Sequence, residues 1–212
     1  MAVTLRVERA LLREAGPGTL LAAIDEVGRG ALAGPVAVGV VVIDADTAAA
    51  PRGVRDSKEC DPATRERLAP QVRAWAPHSA VGMSSSSEID AIGIVGALSL
   101  AAVRAINAIG WRPELVLLDG KHDWMSRVIP GSRVVTRIQA DATCAAVAAA
   151  SILAKVARDT HMVALAERHP DYGWSANKGY AAPDHVAALE RLGPTSLHRV
   201  SWRLPGVSTA TP

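Results

Sequence analysis

The chain has 212 residues, of which 49% are hydrophobic and 21% charged, and a formal net charge of +2. This length and balance are typical of one soluble globular domain, with or without a small appendage. The small net charge does not by itself imply a polyanionic partner, so any nucleic-acid interaction must depend on local motifs. Charged residues interrupt each long apolar run and the N-terminal segment carries acids, which predicts a soluble, cytoplasmic protein without membrane association.

Two apolar runs near the N-terminus predict neighbouring strands. Residues 19–26 (TLLAAIDE) and 35–43 (PVAVGVVVI) are rich in aliphatic and β-branched side chains, a composition typical of buried strands. A short glycine-rich connection separates them, so we expect them to pair as an antiparallel hairpin.

The remaining elements follow from caps, breakers and apolar periodicity. In chain order they are a polar loop at 44–60, a helix from Asp61 to about Ala76, a strand at 78–85, a long helix capped by Ser87 that ends near Gly110, a strand at 114–120, a strand at 133–139, a long alanine-rich helix that starts near Asp141, and a helix from Pro183 that ends at Gly193. Three consecutive strands followed by alternating strands and helices predict an α/β fold, with a mixed sheet and helices on both faces.

The glycine-rich connection contains Gly28-Arg29-Gly30-Ala31-Leu32-Ala33, which fits the G-x-G-x-x-G/A pattern of a dinucleotide-binding turn. Such a turn must lead into a helix, whose N-terminus binds the pyrophosphate. Here Gly34-Pro35 and a valine-rich run follow, which predicts a strand. We therefore expect no nucleotide cofactor at this turn, although a nucleotide-dependent oxidoreductase remains the alternative to be tested.

Acidic residues lie at the ends of two predicted strands. Asp25 and Glu26 end the first strand, and Asp119 ends the fourth. Carboxylates that gather at neighbouring strand ends repel one another unless cations lie between them, and hard oxygen ligands of this kind suit Mg²⁺ or Mn²⁺. Two such ions about 4 Å apart are a common arrangement for phosphodiester cleavage.

The adjacent pair Asp25 and Glu26 raises a geometric difficulty. Successive side chains of a regular strand point to opposite faces, so both cannot enter one site from an undistorted strand. Two alternatives remain open: the strand bends between Glu26 and Gly28, or one residue of the pair acts through its backbone or from outside the first ligand sphere.

Six sequence blocks follow one another along the chain. They are DEVGRGALAGPV from Asp25, DSK at 56–58, LLDG at 117–120, DATCAAVAAASILAKVARD at 141–159, NKGYAAPDH at 177–185 and GPTSLHRVSW at 193–202. In this order and spacing they resemble the bacterial ribonuclease HII family of the ribonuclease-H-like superfamily. The resemblance implies a mixed five-stranded sheet flanked by helices, with a small C-terminal helical part. It also implies a metal-dependent endoribonuclease that cuts the RNA strand of RNA/DNA hybrids and nicks 5′ of single ribonucleotides in duplex DNA, leaving 3′-hydroxyl and 5′-phosphate ends.

The resemblance also implies roles for individual residues. The catalytic, metal-binding carboxylates would be Asp25, Glu26, Asp119 and Asp141, holding two Mg²⁺ or Mn²⁺ ions; Asp141 has the alternative role of capping the long helix. The residues implied in substrate binding are Gly28, Arg29, Gly30 and Tyr180 at the ribonucleotide, and Lys58, Lys178, His198 and Arg199 at phosphates.

The same resemblance implies an organisation of the chain and a partner. The expected segments are a helical or frayed N-terminus at 1–18, a catalytic domain at 19–168, a helical substrate-contacting part at 169–203 and a disordered tail at 204–212. The expected partners are RNA/DNA hybrids and ribonucleotide-containing DNA, bound by a monomer. Ala31 departs from the family, which usually has proline there. A hybrid-binding protein without catalytic activity is a second alternative, against which the intact set of carboxylates argues.

Overall fold

The computed structural model describes residues 3–207. Its centre is a five-stranded mixed sheet with the strand order β3-β2-β1-β4-β5. The strands are β1 Leu21–Val27, β2 Val36–Ile43, β3 Ser79–Ser84, β4 Leu115–Asp119 and β5 Arg133–Arg137; the helices are α1 Arg6–Ala15, α2 Pro62–Trp75, α3 Ser86–Ile109, α4 Ala145–Arg168, α5 Trp174–Asn177 and α6 Pro183–Leu192. The α/β fold with a mixed sheet is therefore confirmed.

The predicted hairpin is also confirmed. Strands β1 and β2 pair in antiparallel register from Leu21–Ile43 to Val27–Ala37. Strand β3 extends this antiparallel part beside β2, whereas β4 lies parallel to β1 on its other side and β5 lies parallel to β4. The parallel pair β1–β4 matters for function because its two strands end at the same edge of the sheet.

Each face of the sheet is covered by one long helix. The side chains of Leu21 and Ala23 face α4, and those of Ala22 and Ile24 face the cluster that contains α3. The small side chains of α4 allow it to lie close to the sheet. At Gly39 a Cβ atom would lie 2.2 Å from the carbonyl oxygen of Ala150 in α4, so this position requires glycine for the helix to approach.

Helix α3 begins earlier than predicted. Ser85, not Ser87, is the N-cap: its hydroxyl accepts a hydrogen bond from the Glu88 amide, and the Glu88 carboxylate accepts one from the Ser85 amide. This reciprocal capping box satisfies two amides that the helix start leaves free, and the serine run at 84–87 hid which serine supplies it. The helix ends at Gly110 as predicted, with a kink at Gly93.

Helix α4 begins later than predicted, at Ala145 rather than near Asp141. The Asp141 carboxylate is not its cap, because Glu8 of α1 takes that role across the fold: the Glu8 Oε1 atom accepts from the Ala146 amide at 2.9 Å. Glu8 is fully buried. A cap from 138 residues away along the chain leaves no local signal, and the Asp141 carboxylate pairs with Lys58 instead.

The C-terminal part packs as a small helical layer. Helices α5 and α6 enclose a cluster that contains Tyr172, Trp174 and Leu189. Leu204 is buried in this cluster and Val207 packs against it, so the disordered tail predicted from residue 204 is wrong for 204–207, where apolar side chains find a docking surface. Residues 208–212 of that tail, and residues 1–2 at the other end, lie outside the described part of the chain.

Among the described residues, α3 is the one helix whose length and apolar composition would allow it to cross a membrane. Its Leu98, Ala101 and Ala105 side chains are fully buried in the cluster against the sheet. The buried face of α3 is thus accounted for by its place in the core, whereas Ile92 and Val95 on its first half are about half exposed.

Candidate active site

Two of the predicted carboxylates lie side by side at the end of the parallel strands. The pairing of β1 with β4 ends at Ile24 and Leu118, so Asp25 and Asp119 are the next residue of each strand. Alternation places both on the α4 face of the sheet, and Asp25 is only 4% exposed. The sheet register therefore brings these two acids together, as the sequence predicted.

Glu26 lies on the other face of β1. The strand stays in regular register with β2 up to Val27, so the bend considered from the sequence does not occur before that residue. The Glu26 Oε1 atom accepts a hydrogen bond from the exposed Arg29 guanidinium at 3.2 Å, and its buried Oε2 atom has no hydrogen-bond partner. Both Asp25 and Glu26 nevertheless border the same cleft of about 450 Å³.

Asp141 reaches this edge from the turn before α4. The Asp119 Oδ1 atom accepts hydrogen bonds from the Ala140 amide at 2.7 Å and the Asp141 amide at 3.4 Å, which ties the two acids together. The Asp141 carboxylate also pairs with the Lys58 ammonium at 2.7 Å. Lys58 comes from a short 3-10 turn at Ser57–Glu59 and its side chain is 74% exposed.

The cleft concentrates negative charge. Burial, followed by the charges of Asp119, Glu26 and Asp141, raises the pKa of Asp25 well above its usual value. Burial also raises the pKa of Asp119, with Asp141 as the next cause, and burial raises that of Glu26 against the opposing effect of Arg29. Such a cluster gains stability when a cation neutralises it.

The donor set fits hard divalent cations. Its members are carboxylates only, one of which has a buried oxygen without a partner, Glu26 Oε2, and another, Asp141, already binds a side-chain cation. Within residues 3–207, no three acid, histidine or cysteine side chains converge on a common ion position. Three of these side chains can therefore share one ion only after side-chain rotation.

The glycine-rich turn leaves β1 directly beside these acids. Gly28 has a φ of 87°, and a Cβ there would lie 2.0 Å from the Arg158 Nε atom, so Gly28 is required by packing inside the protein. Gly30 differs: it is exposed, and a Cβ there would meet nothing within 4 Å. After the turn the chain enters β2, so the turn lacks the helix N-terminus that a dinucleotide pyrophosphate needs.

Two buried arginines hold this turn through its carbonyl oxygens. Arg199 donates to Gly28 at 2.7 Å, Arg29 at 2.8 Å and Gly34 at 3.2 Å. Arg158 donates to Pro35 at 2.8 Å, Ala33 at 3.2 Å and Lys178 at 3.0 Å. Both guanidiniums are fully buried and satisfied by backbone oxygens.

The sequence prediction of phosphate contacts at His198 and Arg199 is therefore wrong. Arg199 is 0% and His198 1% exposed, so neither can touch a nucleic acid bound at the surface. Every hydrogen bond of the Arg199 guanidinium goes to the turn. A motif alone does not distinguish a charge that binds substrate from a charge that supports a loop.

Tyr180 borders the same cleft as the turn. The ring lies 5.2 Å from the Arg158 guanidinium carbon and 6.0 Å from Lys155 Nζ, and the neighbouring Gly179 carbonyl accepts hydrogen bonds from the Leu32 and Ala33 amides. Lys178, by contrast, has a positive φ of 52° and its ammonium bonds to the Ser175 carbonyl. It does not line this cleft but a groove beside it.

Sequence reasoning missed two cations of α4, Lys155 and Arg158. Lys155 lines both the cleft and the adjoining groove, and pairs with Asp159 at 2.8 Å; burial lowers the pKa of its ammonium despite that pair. A signal for Arg158 did exist: it occupies a buried stripe with Ala154 and Met162, and a charge within an apolar stripe at helical spacing indicates a specific internal partner.

The fold and the acidic strand ends define a ribonuclease-H-like hydrolase. A family model described as "Ribonuclease HII" matches residues 22–204. The relatives named ribonuclease HII include one from Streptomyces avermitilis, 47% identical over 201 residues (94% of this chain, 83% of the relative). Another is from Nitrosococcus oceani, 46% identical over 186 residues (88% of this chain, 90% of the relative).

Solved structures agree. The ribonuclease H2 of Pyrococcus horikoshii superposes with a TM-score of 0.71 at 27% identity, covering 88% of this chain and 95% of that one. The ribonuclease HII in the PCNA complex from Archaeoglobus fulgidus gives 0.71 at 30% identity, covering 90% and 98%. The chain belongs to the ribonuclease HII family, and it is a ribonuclease H endonuclease that acts on RNA/DNA hybrids.

Proposed function

We propose that the chain cuts on the 5′ side of a ribonucleotide, both in RNA/DNA hybrids and at a single ribonucleotide in duplex DNA, and leaves 3′-hydroxyl and 5′-phosphate ends. The observation that carries this proposal is one cleft bordered by carboxylates, the Gly28–Gly30 turn and Tyr180. A site that places hydrolytic groups beside an open glycine turn is suited to read a 2′-hydroxyl at the bond it cuts.

The proposed ligands of two divalent cations, Mg²⁺ or Mn²⁺, are Asp25, Glu26, Asp119 and Asp141. When bound, such ions lower the pKa of the attacking water and stabilise charge on the phosphate and leaving oxygen. The buried Asp25 and the strand-end Asp119 are fixed by the sheet, whereas Asp141 lies in a turn and one of its oxygens already pairs with Lys58. We therefore assign Asp25 and Asp119 the larger share of ion binding.

We propose three kinds of substrate contact: backbone contacts with the ribose, packing of an aromatic ring on a sugar, and lysine contacts with phosphates. The exposed backbone at Arg29 and Gly30 approaches the ribose, since no Cβ of Gly30 stands in the way. The Tyr180 ring packs on the sugar that follows the ribonucleotide. Lys58, Lys155 and Lys178 supply phosphate contacts, which position the strand but do not read its sequence.

One copy of the chain contains all of these groups. Asp25, Glu26, Asp119, the turn and Tyr180 border one cleft of a single chain, and Asp141 pairs with Lys58 at its border, so we propose that the monomer is active. We further propose that it works in the cytoplasm of a bacterium, where both of its substrates occur; the relatives described above include bacterial proteins.

The test compares Asp119→Asn with Asp46→Asn, an exposed acid in the loop after β2. We expect Asp119→Asn to abolish cleavage in Mg²⁺ while hybrid binding persists, because phosphate contacts remain, and Asp46→Asn to leave cleavage unchanged. Asp141→Asn should be milder and partly restored by more metal. Near-normal cleavage by Asp119→Asn would contradict the assignment.

A further inference from the structure

A chain of buried hydrogen bonds connects the segment that contains Arg199 to Tyr180. The His198 Nδ1 atom lies 2.9 Å from the Thr195 amide, the Nε2 atoms of His198 and His185 lie 3.0 Å apart, and His185 Nδ1 lies 2.8 Å from the Tyr180 carbonyl oxygen. Both imidazoles are at most 1% exposed.

We call this chain of hydrogen bonds, from Thr195 through His198 and His185 to the Tyr180 carbonyl, the histidine relay. Its hydrogen-bond partners determine which nitrogen of each imidazole carries the proton. The Thr195 amide can only donate, so His198 Nδ1 accepts and His198 Nε2 carries the proton. At His185 the Trp174 indole donates to Nε2 at 3.2 Å, so Nε2 accepts there too. His185 Nδ1 then carries the proton and donates it to the Tyr180 carbonyl. The single lone pair of His185 Nε2 is then shared between the Trp174 and His198 donors, and this set of bonds requires both rings to be neutral.

The two ends of the relay lie next to two elements that border the cleft, the turn and Tyr180. Next to His198, Arg199 binds the carbonyls of Gly28 and Arg29 in the turn. At the other end, the Tyr180 carbonyl accepts from His185 and from the Ala182 amide, both at 2.8 Å. With its two bonds, this carbonyl has a fixed direction, and so has the start of the Tyr180 side chain.

We propose that His185, held in one tautomer by His198 and Trp174, is a positioning residue that sets the place of the Tyr180 ring at the sugar beside the ribonucleotide. The proposal rests on the function proposed above for Tyr180. Neither histidine touches the substrate, since both are buried; they act through the backbone of Tyr180. Burial of the pair beside stacked Tyr172 and Trp174, whose ring centroids are 5.3 Å apart, keeps water out of the relay.

Two substitutions at His185 separate positioning from packing. An asparagine amide can replace the Nδ1 donor to Tyr180, whereas a glutamine amide replaces Nε2 and loses that donor. The quantity to measure is kcat/KM on a duplex with one embedded ribonucleotide divided by kcat/KM on an all-RNA strand paired with DNA. This ratio does not depend on the folded fraction of a variant, because both rates come from the same molecules.

We expect His185→Gln to lower the ratio about three- to tenfold, the size of one lost neutral hydrogen bond, and His185→Asn to stay within about twofold of the wild type. In a Tyr180→Ala background, His185→Gln should change the ratio no further. His198→Asn, which removes the donor to His185, should lower the ratio by less than His185→Gln, because Trp174 still holds the ring.

Three results would overturn the proposal: an unchanged ratio in His185→Gln, equal effects of His185→Gln and His185→Asn, or an effect that adds fully to that of Tyr180→Ala. If His185→Gln leaves the ratio unchanged while Tyr180→Ala lowers it, only the coupling between His185 and Tyr180 is refuted. An unchanged ratio in Tyr180→Ala would refute the role of Tyr180 and the coupling together.

Discussion

The guanidinium of Arg199 lies 2.7 Å from the carbonyl oxygen of Gly28, so a residue near the end of the chain holds the turn that follows the catalytic acids. The same guanidinium binds Arg29 and Gly34. Because the bonds to Gly28 and Gly34 are buried, loss of the donor to these oxygens would lower the stability of the fold. The turn is therefore held in shape before any substrate arrives.

Arg199→Lys should loosen the turn. A lysine keeps the charge, but its donors share one nitrogen and cannot reproduce the spread of the three guanidinium nitrogens, and each buried oxygen left without a donor costs about 1–3 kcal/mol. We expect a lower free energy of unfolding in urea and lower kcat/KM on both substrates. Arg191→Lys, at an exposed ion pair with Asp171, is the control and should change neither. A fully stable and active Arg199→Lys would show that the turn needs no such support.

The two glycines of the turn should respond differently to alanine. Gly28→Ala places a methyl group against Arg158 at a positive φ, and we expect a clear loss of stability. Gly30→Ala meets open space in the free protein and should leave thermal unfolding unchanged while it lowers kcat/KM on both substrates. Equal activity of Gly30→Ala and wild type would mean that the substrate does not approach Gly30.

Tyr180→Ala should affect a lone ribonucleotide in DNA most, because the sugar that follows is then a deoxyribose on which the ring packs. Loss of an aromatic contact with a nucleotide costs about 1–3 kcal/mol by analogy with base stacking, which is about five- to a hundredfold in kcat/KM. The loss on an all-RNA strand should be smaller. Tyr172→Phe, which removes only the hydroxyl bonded to the Gly193 carbonyl, is the comparison. The measurement is kcat/KM on the lone ribonucleotide divided by kcat/KM on the all-RNA strand. If this ratio is the same for Tyr180→Ala and Tyr172→Phe, Tyr180 has a structural role.

Acid should weaken the fold through the histidine relay. Burial, then the neighbouring His185, lowers the pKa of His198 from 6.5 to about 4, with Thr195 opposing the shift and His169 adding to it. Between these two pH values the unfolded chain binds a proton that the folded protein does not, so the free energy of unfolding falls as pH falls, by about 1.4 kcal/mol per pH unit at most. Below pH 4 this loss is complete, and above 6.5 the contribution is constant.

Urea unfolding of the wild type and of His198→Asn, from about pH 7.5 down to about pH 4, checks this dependence. The free energy of unfolding of the wild type should exceed that of His198→Asn most at the upper end of this pH range, and the difference should become smaller as pH falls. A difference that stays constant over the range would mean that His198 does not keep its neutral form in the folded protein.

The sequence was sufficient for what depends on local pattern and register. Apolar runs predicted the hairpin of β1 and β2, and strand ends predicted that Asp25 and Asp119 would meet. The contacts it could not predict are long-range: the cap of α4 comes from Glu8 in α1, and Arg158 and Arg199 turn inward to backbone oxygens. Whether a charged side chain faces solvent or a buried carbonyl depends on the packing of distant segments, which no local pattern records.

The product of a single cut tests the proposed cleavage chemistry. A duplex with one ribonucleotide, labelled in turn at each end of that strand, is incubated with the protein in Mg²⁺ and in EDTA. We predict a single Mg²⁺-dependent nick on the 5′ side of the ribonucleotide, with a 3′-hydroxyl that a polymerase extends and a 5′-phosphate on the ribonucleotide. Cleavage in EDTA, a nick on the 3′ side, or a 2′,3′-cyclic phosphate end would contradict it.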